Sequence, residues 1–329
     1  MPNNKSEKHL DIYKNRYEFF QDGKKQVFYE GFQNEATQQR YARIKQTLEA
    51  GYLESMMKST SEMDFSDLSA ENLTLLKNIV NGITSEVGRA LVGLAFLQLT
   101  IKSIAPDQSI RLHKGTTRRG SFSWVDGISM RTIDSNFITP FLREHGLFNL
   151  NKDGLFMTRS LAENYPYTSL YKAEMRGPFN DWIAIVDAIE EKRMPPELGL
   201  RYLMALLKNK SECFQKLAES TCQLLDKHRE KSFVQIKNMI KSFFNTTDYS
   251  ARAFEVAMHG LFQAMDELNL LCGVDVVPLS QMRSANKKGS SDKCVPGCMN
   301  SQDFKFEKLK VSIAIGLTFK GFDFIIQTF

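Results

Sequence analysis

Apolar residues recur at three- and four-residue steps through most of the chain, which predicts a protein built mainly from helices. The first clear case begins at Ser69 and places four residues on one face: Leu73, Leu76, Val80 and Ile83. The next segment, residues 85–104, is apolar nearly all round, as is typical of a helix at the centre of a domain. Residues 9–58 are charged and aromatic with partial helical periodicity, and we expect a helical N-terminal region over residues 1–105.

The middle of the chain predicts a helix followed by a tight hairpin. A basic, irregular segment at residues 111–120 precedes a helix over residues 133–145, which Gly146 is suited to end. Pro140 leaves the start of this helix open, at residue 133 or at the proline itself. Two apolar runs then flank an Asn-Lys-Asp-Gly turn, at residues 147–150 and 155–158. This order resembles a winged helix-turn-helix, so we predict a winged-helix-like module over residues 106–178.

Helices also dominate the pattern after residue 179. A helical connector is expected over residues 179–245, and a final region over residues 246–329. The predicted elements are helices at 182–189, 195–207, 213–225, 233–244 and 250–268, and a strand at 273–279. Together these patterns predict a mainly α protein with a small mixed β element, which is the α+β class.

Positive charge is concentrated in the middle of the chain. Residues 101–180 hold eleven basic and seven acidic residues, so +4 of the net charge of +5 lies there. Such clusters favour nucleic acid, because each neutralised phosphate releases counterions. The plain alternative is a charged surface that only contacts solvent. The candidate DNA-binding residues are Arg111, Lys114, Arg118, Arg119, Arg131, Arg143, Lys152 and Arg159, with Arg118, Arg119 and Lys152 preferred for phosphates and Arg131 or Arg143 for a base.

Several other classes of protein are disfavoured by the sequence. The chain has no signal-peptide pattern near its start, and its longest apolar stretch, residues 90–101, is too short for a bilayer span, so a cytoplasmic protein is expected. Its 5 cysteines lack a regular framework, which favours reduced thiols. The glycine-rich motifs that bind ATP phosphates or dinucleotides do not occur in the sequence.

Two consecutive stretches near the end resemble the start of the catalytic domain of type II restriction endonucleases. They are YSARAFEVAMHGLFQAMDEL at 249–268 and VVPLSQMRSANKKG at 276–289. In that family an acidic residue on a helix precedes a mixed sheet, whose strands carry an aspartate and then an acid-x-lysine motif. The resemblance implies a partial α/β core and Mg²⁺-dependent hydrolysis of phosphodiester bonds in duplex DNA. Carboxylates hold the metal beside the phosphate, and the lysine stabilises charge or helps to activate water.

The resemblance implies specific site residues. Glu255 corresponds to the helix acid, Asp292 to the aspartate, and Asp303 and Lys305 to the acid-x-lysine motif, with Asp292 and Asp303 as metal ligands. The sequence departs from the family after Gly289, where a glycine-aspartate strand is expected. The tail at 311–329 is typical of a truncated or frameshifted end, and an ordinary strand over 310–319 is the alternative.

The resemblance also implies partners. A cognate DNA methyltransferase would protect the host, and palindromic sites favour a homodimer. Three functions therefore stay open: a site-specific deoxyribonuclease, a non-catalytic sequence-specific DNA-binding protein, and a helical protein whose basic loop meets acidic partners.

Overall fold

The computed structural model of the protein describes most of the first two thirds of the chain. The described ranges are residues 8–59, 64–83, 88–119, 122–147, 154–157 and 159–226, with ten further positions between 234 and 267. The chain divides into two compact units, Met1–Cys222 and Gln223–Phe329. The first unit combines helices with a small antiparallel sheet, which confirms the α+β class. Within the described residues, no helix combines the length and apolar character that a bilayer crossing needs.

The first unit begins with a three-stranded antiparallel sheet. Its strands follow chain order: β1 (His9–Ile12), β2 (Arg16–Gln21) and β3 (Lys24–Tyr29). Asp22 and Gly23 form the turn between β2 and β3 with φ of 51° and 73°, the positive values that a two-residue hairpin requires. The expectation of a helical region from residue 1 is therefore wrong over residues 9–29.

One face of this sheet is buried in a small aromatic core. Alternate residues of β2, Tyr17 and Phe19, point to the same side as Phe28 of β3, and this side packs on Leu112 and Trp124. Alternation with a period of two places these aromatic residues on one face of a strand. The sheet thus serves as a support for the segment that contains Leu112 and Trp124.

The helices of the first unit share one larger core, and the last of them continues four residues beyond the end of the unit at Cys222. They are α1 (Glu35–Glu49), α2 (Tyr52–Lys58), α3 (Ala70–Asn81), α4 (Arg89–Ile104), α5 (Met130–Ile133), α6 (Thr139–Glu144), α7 (Phe179–Glu190) and α8 (Pro196–Asp226). Ser69, where the predicted helical pattern begins, caps α3 by accepting the N–H of Asn72 at 3.2 Å. Helix α8 continues without the predicted break near residues 208–212, because that stretch contains no glycine or proline to end it.

Helix α4 lies at the centre of this core, as its all-round apolar character predicts. Every residue from Leu91 to Lys102 is buried, and α1, α3 and α7 pack around it. Its one buried amide, Gln98, accepts the indole N–H of Trp182 at 2.8 Å and donates to the carbonyl oxygen of Ile110 at 3.0 Å. Because a buried amide is stable only when it is hydrogen-bonded, Gln98 fixes α7 and the chain after α4 together.

The predicted helix around residues 133–145 starts earlier and contains a π-helical turn. Helix α5 runs directly into a π-helix at Asp134–Ile138 and then into α6. A proline ring clashes with the carbonyl four residues before it in a regular α-helix, and the wider π turn accommodates Pro140. Gly146, with φ of 60°, follows the helix end as predicted.

The hairpin predicted after this helix is not formed as expected. Residues 148–153 lie outside the described residues. The second predicted strand is a 3₁₀-helix at Leu155–Met157. The backbone here bonds to side chains of the preceding helix: Asp134 accepts the Leu155 N–H at 2.6 Å, and Arg131 donates to the Phe156 carbonyl oxygen at 2.8 Å. Side-chain partners thus replace those that a neighbouring strand would supply.

Candidate functional site

Residues 112–119 of the predicted basic segment, together with residues 122–128, belong to a loop that doubles back on itself. His113 forms a parallel bridge with Ile128. The Lys114 N–H donates to the Ile128 carbonyl oxygen at 3.0 Å, and the Trp124 N–H donates to the Lys114 carbonyl oxygen at 3.1 Å. We call these residues the basic loop. Its base is fixed by backbone bonds on both sides of Lys114, whereas Arg118 and Arg119 near its tip are exposed.

The N-terminal sheet and the segment just before α1 hold the returning half of the basic loop. Val125 donates its N–H to the Tyr29 carbonyl oxygen at 3.0 Å. The Gln33 side chain donates to the Gly127 carbonyl oxygen at 2.8 Å. The loop is therefore attached to two elements that are distant from it in sequence, which limits how far its base can move.

Buried ion pairs fix the chain where it enters the basic loop. Arg111 donates to the Asp187 carboxylate at 2.6 Å and to the Tyr167 carbonyl oxygen at 2.9 Å. Glu190 binds Lys102 at 2.8 Å with one carboxylate oxygen and accepts the Ile110 N–H at 2.6 Å with the other. Arg111 has an exposure of 2%. The prediction that it contacts DNA is thereby corrected, because its guanidinium is taken up inside the protein.

A pocket of about 340 Å³ opens beside the base of the basic loop. It gathers residues from the loop, from α5 and from the segment near residue 162. Its lining contains two cations, an imidazole, two hydroxyls and an apolar part, supplied by Lys114, Arg131, His113, Thr116, Ser129, Gly115, Phe122 and Ala162. We call it the loop pocket. Two residues predicted from charge alone, Lys114 and Arg131, meet there.

His113 lies in the wall of the loop pocket as a neutral imidazole. Its ring stacks on Phe156 with centroids 4.3 Å apart, and its exposure is 3%. Burial lowers the pKa of His113 from its ordinary value to about 3, and the charges of Lys114 and Arg131 act in the same direction. Its Nδ1 atom has no hydrogen-bond partner among the residues that the structure describes.

The two cations of the loop pocket are each held by one polar neighbour. Lys114 has a positive φ of 79° and donates to the side-chain oxygen of Asn164. Partial burial lowers its pKa, Arg131 lowers it further, and Glu163 opposes the shift. Arg131 donates to the Phe156 carbonyl oxygen. The Lys114 ammonium and the Arg131 guanidinium thus repel each other across one small space.

The wall behind His113 depends on the buried carboxylate of Asp134. Besides the Leu155 N–H, this carboxylate accepts the Thr139 hydroxyl at 2.7 Å. Burial raises the pKa of Asp134, and these hydrogen bonds oppose the rise. Asp134 therefore links the π-helix to the segment that presents Phe156 to His113.

The remaining predicted site residues are distributed as follows. Arg143 is exposed in α6, and Arg159 begins a 3₁₀-helix at Arg159–Ala162. Lys152 and the four residues implied for catalysis lie outside the described residues: Glu255, Asp292, Asp303 and Lys305. Among the described residues, no group of three or more histidine, cysteine or acidic side chains is arranged to hold a metal ion. The sequence reasoning did not identify His113, Ser129 and Phe122 as site residues, although His113 and Phe122 lie within or beside its basic run.

No family model matches the chain, and no curated protein and no solved structure shows significant similarity to it. The site is therefore interpreted from its own geometry and chemistry.

The neutral state of His113 gives an expected pH dependence of stability. An unfolded histidine takes up a proton near pH 6.5, whereas folded His113 does so only near pH 3. The stabilisation that comes from keeping folded His113 neutral is therefore complete above about pH 6.5 and is lost as the pH falls towards 3. Urea titrations should show the wild-type free energy of unfolding falling, relative to a His113→Gln variant, by about 1.4 kcal/mol per pH unit between pH 6 and 4. Parallel curves for the two proteins would contradict a neutral buried imidazole.

Proposed function

We propose that this protein is a site-specific deoxyribonuclease of type II that binds duplex DNA through the basic loop. One observation carries the DNA-binding part: an anchored loop presents Lys114, Arg118 and Arg119, with Arg131 beside it. Phosphate contacts need positive side chains held on a firm support, because they fix the position of the protein on the duplex. The bonds of this loop to β3 and to the segment before α1, together with the ion pairs to α7 just before the loop begins, provide that support.

The catalytic part of the proposal is supported by the resemblance at residues 249–268 and 276–289. In this proposal Glu255, Asp292 and Asp303 supply carboxylates, with Asp292 and Asp303 holding Mg²⁺ and Lys305 stabilising charge at the scissile phosphate. A DNA methyltransferase would be the functional partner. A homodimer would match the two halves of a palindromic site.

DNA binding is tested by removing the two exposed arginines of the basic loop. The double variant Arg118→Ala/Arg119→Ala should bind a mixed-sequence duplex roughly tenfold more weakly, because two charged contacts to phosphates are lost. The slope of log affinity against log salt should decrease by about 2, since each contact contributes about 0.9. Fluorescence anisotropy over a salt series measures both quantities.

The matched control removes two exposed lysines outside the loop. The variant Lys58→Ala/Lys77→Ala loses the same charge from α2 and α3 and should keep the wild-type slope. Equal slopes in all three proteins would refute DNA binding by the basic loop. Binding with no steep salt dependence would instead favour an acidic protein partner.

DNA cleavage is measured with the same purified proteins. Genomic DNA incubated with Mg²⁺ should give a discrete set of fragments, and EDTA or Asp303→Asn should abolish them. Steep salt-dependent binding without any cleavage would favour the second candidate, a non-catalytic DNA-binding protein. The departure of the sequence after Gly289 is the observation that favours this candidate.

A further inference from the structure

The geometry points to the loop pocket as a binding site for a single phosphate group, held between Lys114 and Arg131. The pocket is a separate feature from the exposed arginines near the loop tip, which contact solvent directly. The inference rests on the proposed function only for the source of the phosphate, because the pocket chemistry can be tested without DNA.

The charges in the loop pocket call for an anion. Within the described residues, neither Lys114 nor Arg131 forms a salt bridge, and Glu163 is the acid whose charge acts on Lys114. Two like charges in a partly desolvated space destabilise each other, and a bound anion removes that repulsion. A metal cation would increase it.

The neutral polar groups of the pocket favour phosphate over an anion with fewer acceptor oxygens. The Thr116 hydroxyl accepts the Arg118 N–H at 3.0 Å, which leaves its own hydrogen available. The Ser129 hydroxyl lines the pocket and shares a hydrogen bond of 2.8 Å with the Thr132 hydroxyl, in which either oxygen can be the donor. His113 is more than nine-tenths buried and lines the same space as a neutral ring that adds no charge of its own. Several donors together with two cations suit a group with three or more acceptor oxygens.

The size of the pocket suits a phosphate that carries an organic substituent. A volume of about 340 Å³ lies at the lower end of the range for small-molecule sites, roughly 300–1,000 Å³. Phe122 and Ala162 supply an apolar part of the lining against which a sugar can pack. The same chemistry would accept an internal phosphodiester, a phosphate at a DNA end, or a free phosphate.

The test measures binding of inorganic phosphate by isothermal titration calorimetry against a chloride background of equal ionic strength. Wild-type protein should bind phosphate, and Arg131→Gln should weaken the binding about tenfold or more. Lys77→Gln, which removes one exposed positive charge from α3, should leave the phosphate affinity unchanged. Because Arg131 also supports Phe156, Lys114→Met serves as a second variant and should give the same loss. Absence of phosphate binding in the wild type, or retention of it in both pocket variants, overturns the inference.

Two further arms identify the source of the phosphate. A short duplex with 5′-phosphates should bind more tightly than the same duplex with 5′-hydroxyls if the pocket takes a DNA end. Equal binding of both duplexes, with competition by free phosphate, assigns an internal phosphodiester. If phosphate binds as expected while neither duplex binds, the phosphate site stands and the proposed function fails. If both duplexes bind with a steep salt slope while phosphate does not, the proposed function stands and this inference fails.

Discussion

Replacing Arg111 with alanine is expected to lower the free energy of unfolding by about 3–5 kcal/mol. The substitution leaves the Asp187 carboxylate in a largely buried position, where its side chain is 12% exposed, without the guanidinium that binds it at 2.6 Å. It also removes the hydrogen bond to the Tyr167 carbonyl oxygen. The cost comes mainly from an uncompensated buried charge and not from the strength of the pair itself.

Urea titration of two further variants tests this explanation. The double variant Arg111→Met/Asp187→Leu removes both charges and should recover most of the loss, because apolar replacements of a buried pair are often nearly neutral. Arg193→Ala removes an arginine from exposed ion pairs and should cost less than about 1 kcal/mol. A loss for Arg111→Ala no larger than that for Arg193→Ala would refute a structural role for the buried pair.

Replacing Gly115 with alanine is expected to destabilise the protein by about 3 kcal/mol and to weaken DNA binding as well. A Cβ atom at this position would lie 1.9 Å from the Gly127 carbonyl oxygen and 2.4 Å from the Gln33 amide nitrogen. These two atoms form the hydrogen bond that holds the returning half of the basic loop, so the loop backbone must move. Lys114 and Thr116 would move with it. Thermal unfolding and the anisotropy titration described above measure the two effects.

Gly23→Ala provides the control for this substitution. Gly23 has a positive φ, and a Cβ there would meet nothing within 4 Å, so the variant isolates backbone strain of about 1–2 kcal/mol without a clash. It should leave DNA affinity unchanged. If Gly115→Ala matched Gly23→Ala in both measurements, the close packing of Gly115 would not control the loop.

The sequence predicted the helices well where burial of an apolar face or of a whole helix sets the pattern. Ser69 and the apolar stripe after it specify α3, and the absence of a polar face specifies α4 as central. The same reasoning failed for β1 to β3. The dipeptide Asp-Gly occurs at residues 22–23 and at 153–154, and the sequence pattern predicts a hairpin only at the second. A turn signal does not say whether the flanking runs find a partner strand, because side chains such as Asp134 can satisfy the backbone instead.

The candidate site was predicted in part, for a similar reason. Local charge identified Lys114 and Arg131, which do meet in the loop pocket. It did not separate them from Arg111, whose partner Asp187 lies 76 residues away in sequence. His113 owes its neutral state to burial against Phe156, a contact between segments that no local pattern links. Distant packing decides which of several similar basic residues stays at the surface.

The π-helix also sets the direction in which side chains on its two sides point. In a regular α-helix, at about 100° per residue, Ile133 and Phe141 would point roughly 80° apart. The extra residue of the π turn absorbs most of that angle, and both side chains are buried in the same core. Arg131 at one end can therefore reach Phe156 while the other end stays packed against α4. The number of residues between Met130 and Glu144 is thus a feature of the site in its own right.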